Sequence, residues 1–144
     1  MSQPMTRAQM FAFIQEAPRT GHLATVRANG RPHVAPIWIA VDPDREEIVF
    51  TTGSDTVKGR SLIQRQWAAL CVDDQAPPFA FVIAEGPVTV VTDLAEIRRW
   101  ATIIAGRYMG EALAETYGAR NGVEGEWLCR LAPVRMVGER RVAD

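Results

Sequence analysis

The chain has 144 residues, a length that suits one domain with a modest core. Apolar residues make up 47% and charged residues 23%, the balance of an ordinary globule, and a formal net charge of −1 gives no electrostatic reason to expect nucleic acid or an anionic membrane as partner. No run of 18 apolar residues predicts a membrane-spanning helix.

The N-terminus lacks an apolar signal core and opens on a helix instead, so a cytoplasmic protein is expected. Thr6-Arg7-Ala8-Gln9 reads as a capping box, Met10, Phe11, Ile14 and Ala17 mark one helical face, and Pro18 ends it. Leu23–Arg27 and His33–Val41 read as strands joined at Asn29-Gly30, where both residues tolerate positive φ. A turn at Asp42-Pro43-Asp44-Arg45 leads to a third strand, Glu47–Thr52. A helix over Val57–Gln66 is followed by a strand at Ala68–Asp73 and a loop at Gln75-Ala76-Pro77-Pro78. Phe79–Glu85 is a fifth strand, bent by Gly86-Pro87 into Val88–Val91. Thr92 or Asp93 caps a long helix, Glu96 completing a loose capping box from Asp93, with Leu94, Ile97, Ala101, Ile104 and Tyr108 as its core stripe. A second helical piece spans Glu111–Tyr117, residues 118–125 read as a glycine-rich loop, and Trp127–Ala132 and Val134–Gly138 close the chain. Short antiparallel strands dominate, so a small closed or nearly closed barrel with peripheral helices is expected, as one domain over residues 1–144.

Cys71 and Cys129 sit in strand-like runs and read as small buried residues. With His22 and His33 as the only histidines, and no HxxH or CxxC spacing, no metal site is expected.

The junction between the third strand and the next helix carries the clearest chemistry. Thr51 and Thr52 end the strand, Gly53-Ser54-Asp55 turns, and Thr56, Lys58, Arg60 and Ser61 open the helix. Hydroxyls, free N–H groups and two cations at a helix N-terminus suit a phosphate. The segment lacks GxxxxGK[ST] and GxGxxG, so neither a P-loop nor a dinucleotide fingerprint is present. The strand His33–Val41 is apolar on both faces. One face fills the barrel; the other needs a cover, for which a second copy of the chain is the economical source and the chain's own helices the alternative. Pro36 cannot donate to a ladder, which frees backbone groups nearby for a ligand.

Four pieces, in this order and spacing, resemble the pyridoxamine 5′-phosphate oxidase-like superfamily, and more closely its coenzyme F420-dependent oxidoreductases. They are Gly21-His22-Leu23-Ala24-Thr25-Val26, Gly30-Arg31-Pro32-His33-Val34 with Pro36-Ile37-Trp38, Phe50-Thr51-Thr52 with Lys58-Gly59-Arg60-Ser61-Leu62, and Trp127 with Arg130-Leu131-Ala132-Pro133. The resemblance covers about Phe11 to Val137. It implies an α+β, mainly β, six-stranded antiparallel split barrel with peripheral helices, and a homodimer with cofactor sites at the subunit interface. It also implies that Lys58 and Arg60 are the cations on the cofactor phosphate, that Thr51, Thr52 and Ser61 belong to the same pocket, and that Val34–Trp38, including Pro36 and Ile37, lie along the ring. His33 is a candidate proton donor or hydrogen-bond partner of the cofactor, with an ordinary strand histidine as the alternative. After Pro133 the chain reads Val134-Arg135-Met136-Val137-Gly138-Glu139-Arg140-Arg141, without the aromatic- and arginine-rich segment that grips the vitamer, so vitamin B6 oxidation is not the expected function.

No Ser/His/Asp order, Cys–His pair or isolated carboxylate pair marks a catalytic residue, which fits an enzyme whose cofactor carries the chemistry. Trp38, Phe79, Phe81, Trp100, Tyr108 and Trp127 are the aromatic candidates for stacking a planar acceptor. The leading expectation is a reductase that moves a hydride from reduced F420 to a small unsaturated or conjugated acceptor. An FMN-dependent oxidoreductase of the same fold and a non-catalytic F420- or flavin-binding protein are the alternatives. Arg27, Arg31, Arg60 and Arg65 are the plausible partners of the glutamate tail that distinguishes F420 from FMN.

Overall fold

A computed structural model describes all residues from Met1 to Asp144. Nine strands and four α-helices follow in the order β1 (Gln3–Pro4), α1 (Arg7–Glu16), β2 (Gly21–Val26), β3 (Pro32–Ile37), β4 (Ala40–Asp42), β5 (Glu47–Gly53), α2 (Val57–Arg65), β6 (Trp67–Asp74), β7 (Ala80–Val91), α3 (Leu94–Met109), α4 (Ala114–Asn121), β8 (Glu126–Leu131) and β9 (Arg135–Arg140). Every pairing is antiparallel. No helix is long and apolar enough to cross a membrane.

The sheet curls into a split barrel of two halves. The first runs β3-β2-β6-β7-β9-β1 and the second β4-β5-β8-β7. Two segments pass between them. β7 pairs with β6 and β9 through its first half, then with β8 over Val88–Val91. The expected break at Gly86-Pro87 is therefore a bend inside one strand. A side chain at Gly86 would meet the Ala132 carbonyl oxygen at 2.2 Å, so only glycine lets the two segments approach. The expected strand His33–Val41 shows the reverse behaviour: it parts into β3 and β4, because the ladder lapses at Trp38-Ile39 where the chain turns from one half to the other. One merger, one parting and the added two-residue β1 turn the eight strand runs read along the chain into nine strands, where the resemblance implied a six-stranded barrel.

Leu23, Phe50, Leu70, Val72, Val82 and Leu131 fill the interior, with Met10, Phe13 and Ile14 of α1 and Leu62 of α2 joining the same core. A second core lies outside the second half, where Ile97, Trp100 and Ile104 of α3 pack on Ala40, Val49 and Leu128. Thr6 and Gln9 form the expected capping box, with reciprocal bonds of 3.2 and 2.9 Å. Asp93 caps α3 without a side-chain bond, and the Glu96 carboxylate, which would complete the box at the Asp93 N–H, accepts from Arg130 at 2.8 Å instead. The expected loop over 118–125 begins four residues late, since Gly118 through Asn121 belong to α4. Gly118 serves helix packing: a Cβ there would sit 2.1 Å from Thr102 Oγ1.

The first half keeps a bare outer face. Pro36, His22, Cys71, Ile83 and Val137 lie side by side across β3, β2, β6, β7 and β9. Ile83 and Val137 are 42% and 41% exposed, and Val34 one row away is 65% exposed. The chain's own helix α3 thus covers the Ala40 end of the doubly apolar segment and leaves the Val34 end open.

Candidate functional site

The strand–helix junction is built by its caps. The Thr56 hydroxyl accepts from the Gly59 N–H at 3.0 Å and donates to the Gly53 carbonyl at 2.8 Å. Gly59 has to be glycine, because a Cβ would fall 2.3 Å from that same Gly53 carbonyl oxygen. Helix α2 therefore sits hard against the end of β5. The backbone N–H groups of Val57 and Lys58 are left without a partner in the chain, directed out of the helix N-terminus.

Beside this corner lies a cavity of about 360 Å³. Pro36, Ile37 and Trp38 form one wall, Thr51 and Lys58 the corner, and Ala101 and Ile104 of α3 the opposite wall. Thr20 and Asn121 complete it with a hydroxyl and an amide. The volume is in the range of small-molecule pockets, apolar walls with a few polar groups being their usual make-up. Lys58 makes no ion pair or hydrogen bond within the chain and is the only titratable group in the lining.

Five of the sequence candidates, Pro36, Ile37, Trp38, Thr51 and Lys58, are brought together here. The other five lie elsewhere, and the reason is periodicity. Neighbours on a strand point to opposite faces, so Thr51 enters the cavity while Thr52 turns inward, 3% exposed, its hydroxyl 3.2 Å from that of Thr56. Residues two apart on a helix do not share a face, so Arg60 leaves Lys58 behind. Arg60 donates to the Asp55 carbonyl and, with the buried Ser61, lines a separate concavity of about 310 Å³ shared with Arg27 and Gln64. Val34 lies on the bare outer face. His33 lies opposite Thr25 on the inner side, its Nδ1 buried without a partner.

Thr20, Ala101, Ile104 and Asn121 were not among the sequence candidates. Ala101 and Ile104 belong to the core stripe of α3, and that periodicity says nothing of a ligand. Thr20 and Asn121 carry no local signal.

One acid stands near the corner. Glu126 is the cross-strand partner of Gly53. Burial pushes its carboxyl up, the Lys58 charge pulls it down, and Asp55 pushes it up again, for a net rise above 4.5. An acid whose folded value is raised contributes stability only below its unfolded value and loses it as pH climbs through the folded one. Glu126→Gln is accordingly expected to raise the melting midpoint at pH 7, with the gain gone by about pH 4. Thermal unfolding at the two pH values checks this; an equal gain at both would refute it.

Comparison with known proteins gives one family match: the family described as Pyridoxamine 5′-phosphate oxidase matches residues 6–134. No curated protein matches the chain. Among solved structures, a conserved hypothetical protein of Mycobacterium tuberculosis is 22% identical with a TM-score of 0.80, over 97% of this chain and 89% of its own. An F420 reductase is 26% identical with a TM-score of 0.69, over 87% of this chain and 94% of its own. A FAD-binding protein of Mesorhizobium loti is 13% identical with a TM-score of 0.71, over 96% of each chain.

Proposed function

Because the chain belongs to the pyridoxamine 5′-phosphate oxidase family, we propose that the cavity between β3, β5 and α3 holds a phosphate-bearing flavin or deazaflavin, and that the protein is an F420-dependent oxidoreductase. The observation that carries this is the free Lys58 cation in one cavity with the Pro36–Trp38 wall. The residues fit such a group. Lys58, the free N–H groups at the start of α2 and the Thr51 hydroxyl would hold its phosphate, and Pro36, Ile37 and Trp38 would support the ring edge. The β3 backbone at His33 and Val34 would extend that support, Thr52 would act through its bond to Thr56, Ser61 would stay beneath the corner, and Arg60 and Arg27 would meet an acidic tail.

Bound reduced F420 supplies a hydride to a small unsaturated or conjugated acceptor. The chain's own residues position and desolvate. Ile37, Ala101 and Ile104 would give the bound ring apolar walls, and Trp38 would offer the acceptor a flat surface. The F420 reductase at 26% identity favours the deazaflavin over FMN. Lys58 as sole titratable group in the cavity favours, as a second reading, a protein that binds the cofactor without turnover.

A homodimer is part of the proposal. The bare face of the first half needs a cover, and Pro36 belongs both to that face and to the cavity. A second copy docked there would bring the cavity to the interface.

Separate titrations of the purified protein with F420 and with FMN test the proposal, together with light scattering for oligomeric state. Tight F420 binding, acceptor-dependent oxidation of the reduced cofactor and a dimer are expected. FMN bound in place of F420 would transfer the reading to FMN. Binding without oxidation across an acceptor panel would leave a carrier, and a monomer at micromolar concentration would remove the shared site.

A further inference from the structure

The backbone of Ile39 lies in neither flanking strand, yet both of its polar groups are satisfied by α3. Its N–H donates to the Tyr108 hydroxyl at 3.1 Å, and its carbonyl accepts from Arg107 Nε at 3.0 Å. The same Tyr108 hydroxyl donates to the Arg19 carbonyl at 2.7 Å. Ile39 follows Trp38 and Arg19 precedes Thr20, so one oxygen joins two chain segments that each deliver a cavity residue. The Tyr108 ring lies flat against the Trp38 indole, centroids 5.0 Å apart and planes within 5°. One face of the indole is thus backed, and Trp38 still remains 36% exposed. Ile104, another wall residue, stands one turn before Tyr108 on α3.

Arg107 completes the arrangement. Its other nitrogens donate to the carbonyls of Ile14, Gln15 and Ala17 at 3.2, 2.9 and 3.3 Å, closing the C-terminal end of α1. Orphan carbonyls at a helix end are a favourable place for a cation. The last turn of α3 is therefore pinned to α1 on one side and to the strand corner on the other.

We infer that Tyr108 is the positioning residue of the cavity: its hydroxyl sets Trp38 and Thr20 in place together, and its ring holds the indole as a rigid wall. The inference rests on the reading of this cavity as the cofactor and acceptor site. It does not make Tyr108 a proton donor, since its proton is already committed to the Arg19 carbonyl. A phenylalanine at the position keeps ring and volume and loses only the two hydrogen bonds.

Tyr108→Phe in the full chain tests it, against Ile48→Val as a control that makes a small defect in the main core away from the cavity. The chain is labelled with 5-fluorotryptophan, and the Trp38 fluorine signal is assigned with Trp38→Phe. In Tyr108→Phe that signal should broaden and gain a solvent-isotope shift, and the dissociation constant for F420 should rise roughly fivefold or more. Ile48→Val should leave both at wild-type values. An unchanged Trp38 signal overturns the inference, as does a changed signal with unchanged F420 affinity. If wild-type protein binds neither F420 nor FMN, the functional reading falls, while the Trp38 signal alone still decides the role of Tyr108.

Discussion

Arg130→Ala is expected to destabilise the fold by about 3–5 kcal/mol, the usual cost of leaving buried charge without its partner. Arg130 is 4% exposed, on β8. Its guanidinium reaches Asp42 at 2.9 Å, Glu47 at 3.2 Å and Glu96 at 2.8 Å, tying β4, β5 and α3 to β8. Trp100 lies against its other face at 5.5 Å. Without the cation, three carboxylates face one another in a largely closed space. For a chain of this length the loss corresponds to a fall in melting midpoint of roughly 10 °C or more. The pH dependence is diagnostic. Burial pushes the Asp42 carboxyl up, but the Arg130 guanidinium and the Asp44 N–H outweigh it and hold it below 3.8. An acid with a depressed folded value contributes stability above its unfolded value and loses it as pH falls through the folded one. Wild-type protein should therefore weaken below about pH 4. In Arg130→Ala burial acts on Asp42 against the Asp44 and Arg45 backbone N–H groups alone, its carboxyl moves up, and the variant should lose less stability than wild type as pH falls from 7 toward 4. Midpoints measured at pH 7, 5.5 and 4 should converge; a constant gap, or one under about 1 kcal/mol at pH 7, would refute the account.

This cluster also marks how far the sequence could be read. Arg130 interrupts an apolar strand in Trp127–Ala132, which signals a partner, but its three acids come from distant segments that only the closed barrel brings together. Local chemistry was legible. The hairpin at Asn29-Gly30 forms with Gly30 at φ +84°, and the Thr6–Gln9 box caps α1. The family membership and the split barrel follow from the order of such pieces. Glu96 carried a local signal for a cap and was taken by a long-range ion pair, since a buried guanidinium outbids an exposed N-terminus. Gly118 signalled a loop and was used for helix contact, a choice visible only with Thr102 beside it. At the site, sequence proximity overstated spatial proximity. Thr51 and Thr52 are neighbours and face opposite ways; Lys58 and Arg60 share a helix and serve different concavities. Asn121 and Thr20 reach the cavity from segments about a hundred residues apart, beyond any local pattern.

Lys58→Ala is expected to weaken binding of a phosphate-bearing cofactor by about 1.5–3 kcal/mol, the value of a charge-assisted hydrogen bond, or roughly 10- to 150-fold in dissociation constant. Lys58 is the one cation in the cavity and makes no ion pair of its own, so no salt bridge has to break before it meets a ligand. The fold should survive, because the side chain supports no packing in either core. Arg60→Ala separates the cofactors. Its concavity is distinct from the cavity, so FMN affinity should stay within about twofold of wild type, while F420, whose acidic tail extends beyond the phosphate, should bind measurably less well. Salt should act in the same sense: raising ionic strength weakens the exposed Arg60 contact more than the half-buried Lys58 contact. Fluorescence titration of both cofactors into wild type and the two variants, at low and high salt, measures all of this. Cofactor affinity in Lys58→Ala within twofold of wild type would place the phosphate elsewhere and take the free cation out of the mechanism. Equal losses of FMN in both variants would merge the two concavities into one anion site, against the separation that helix α2 imposes on residues two positions apart.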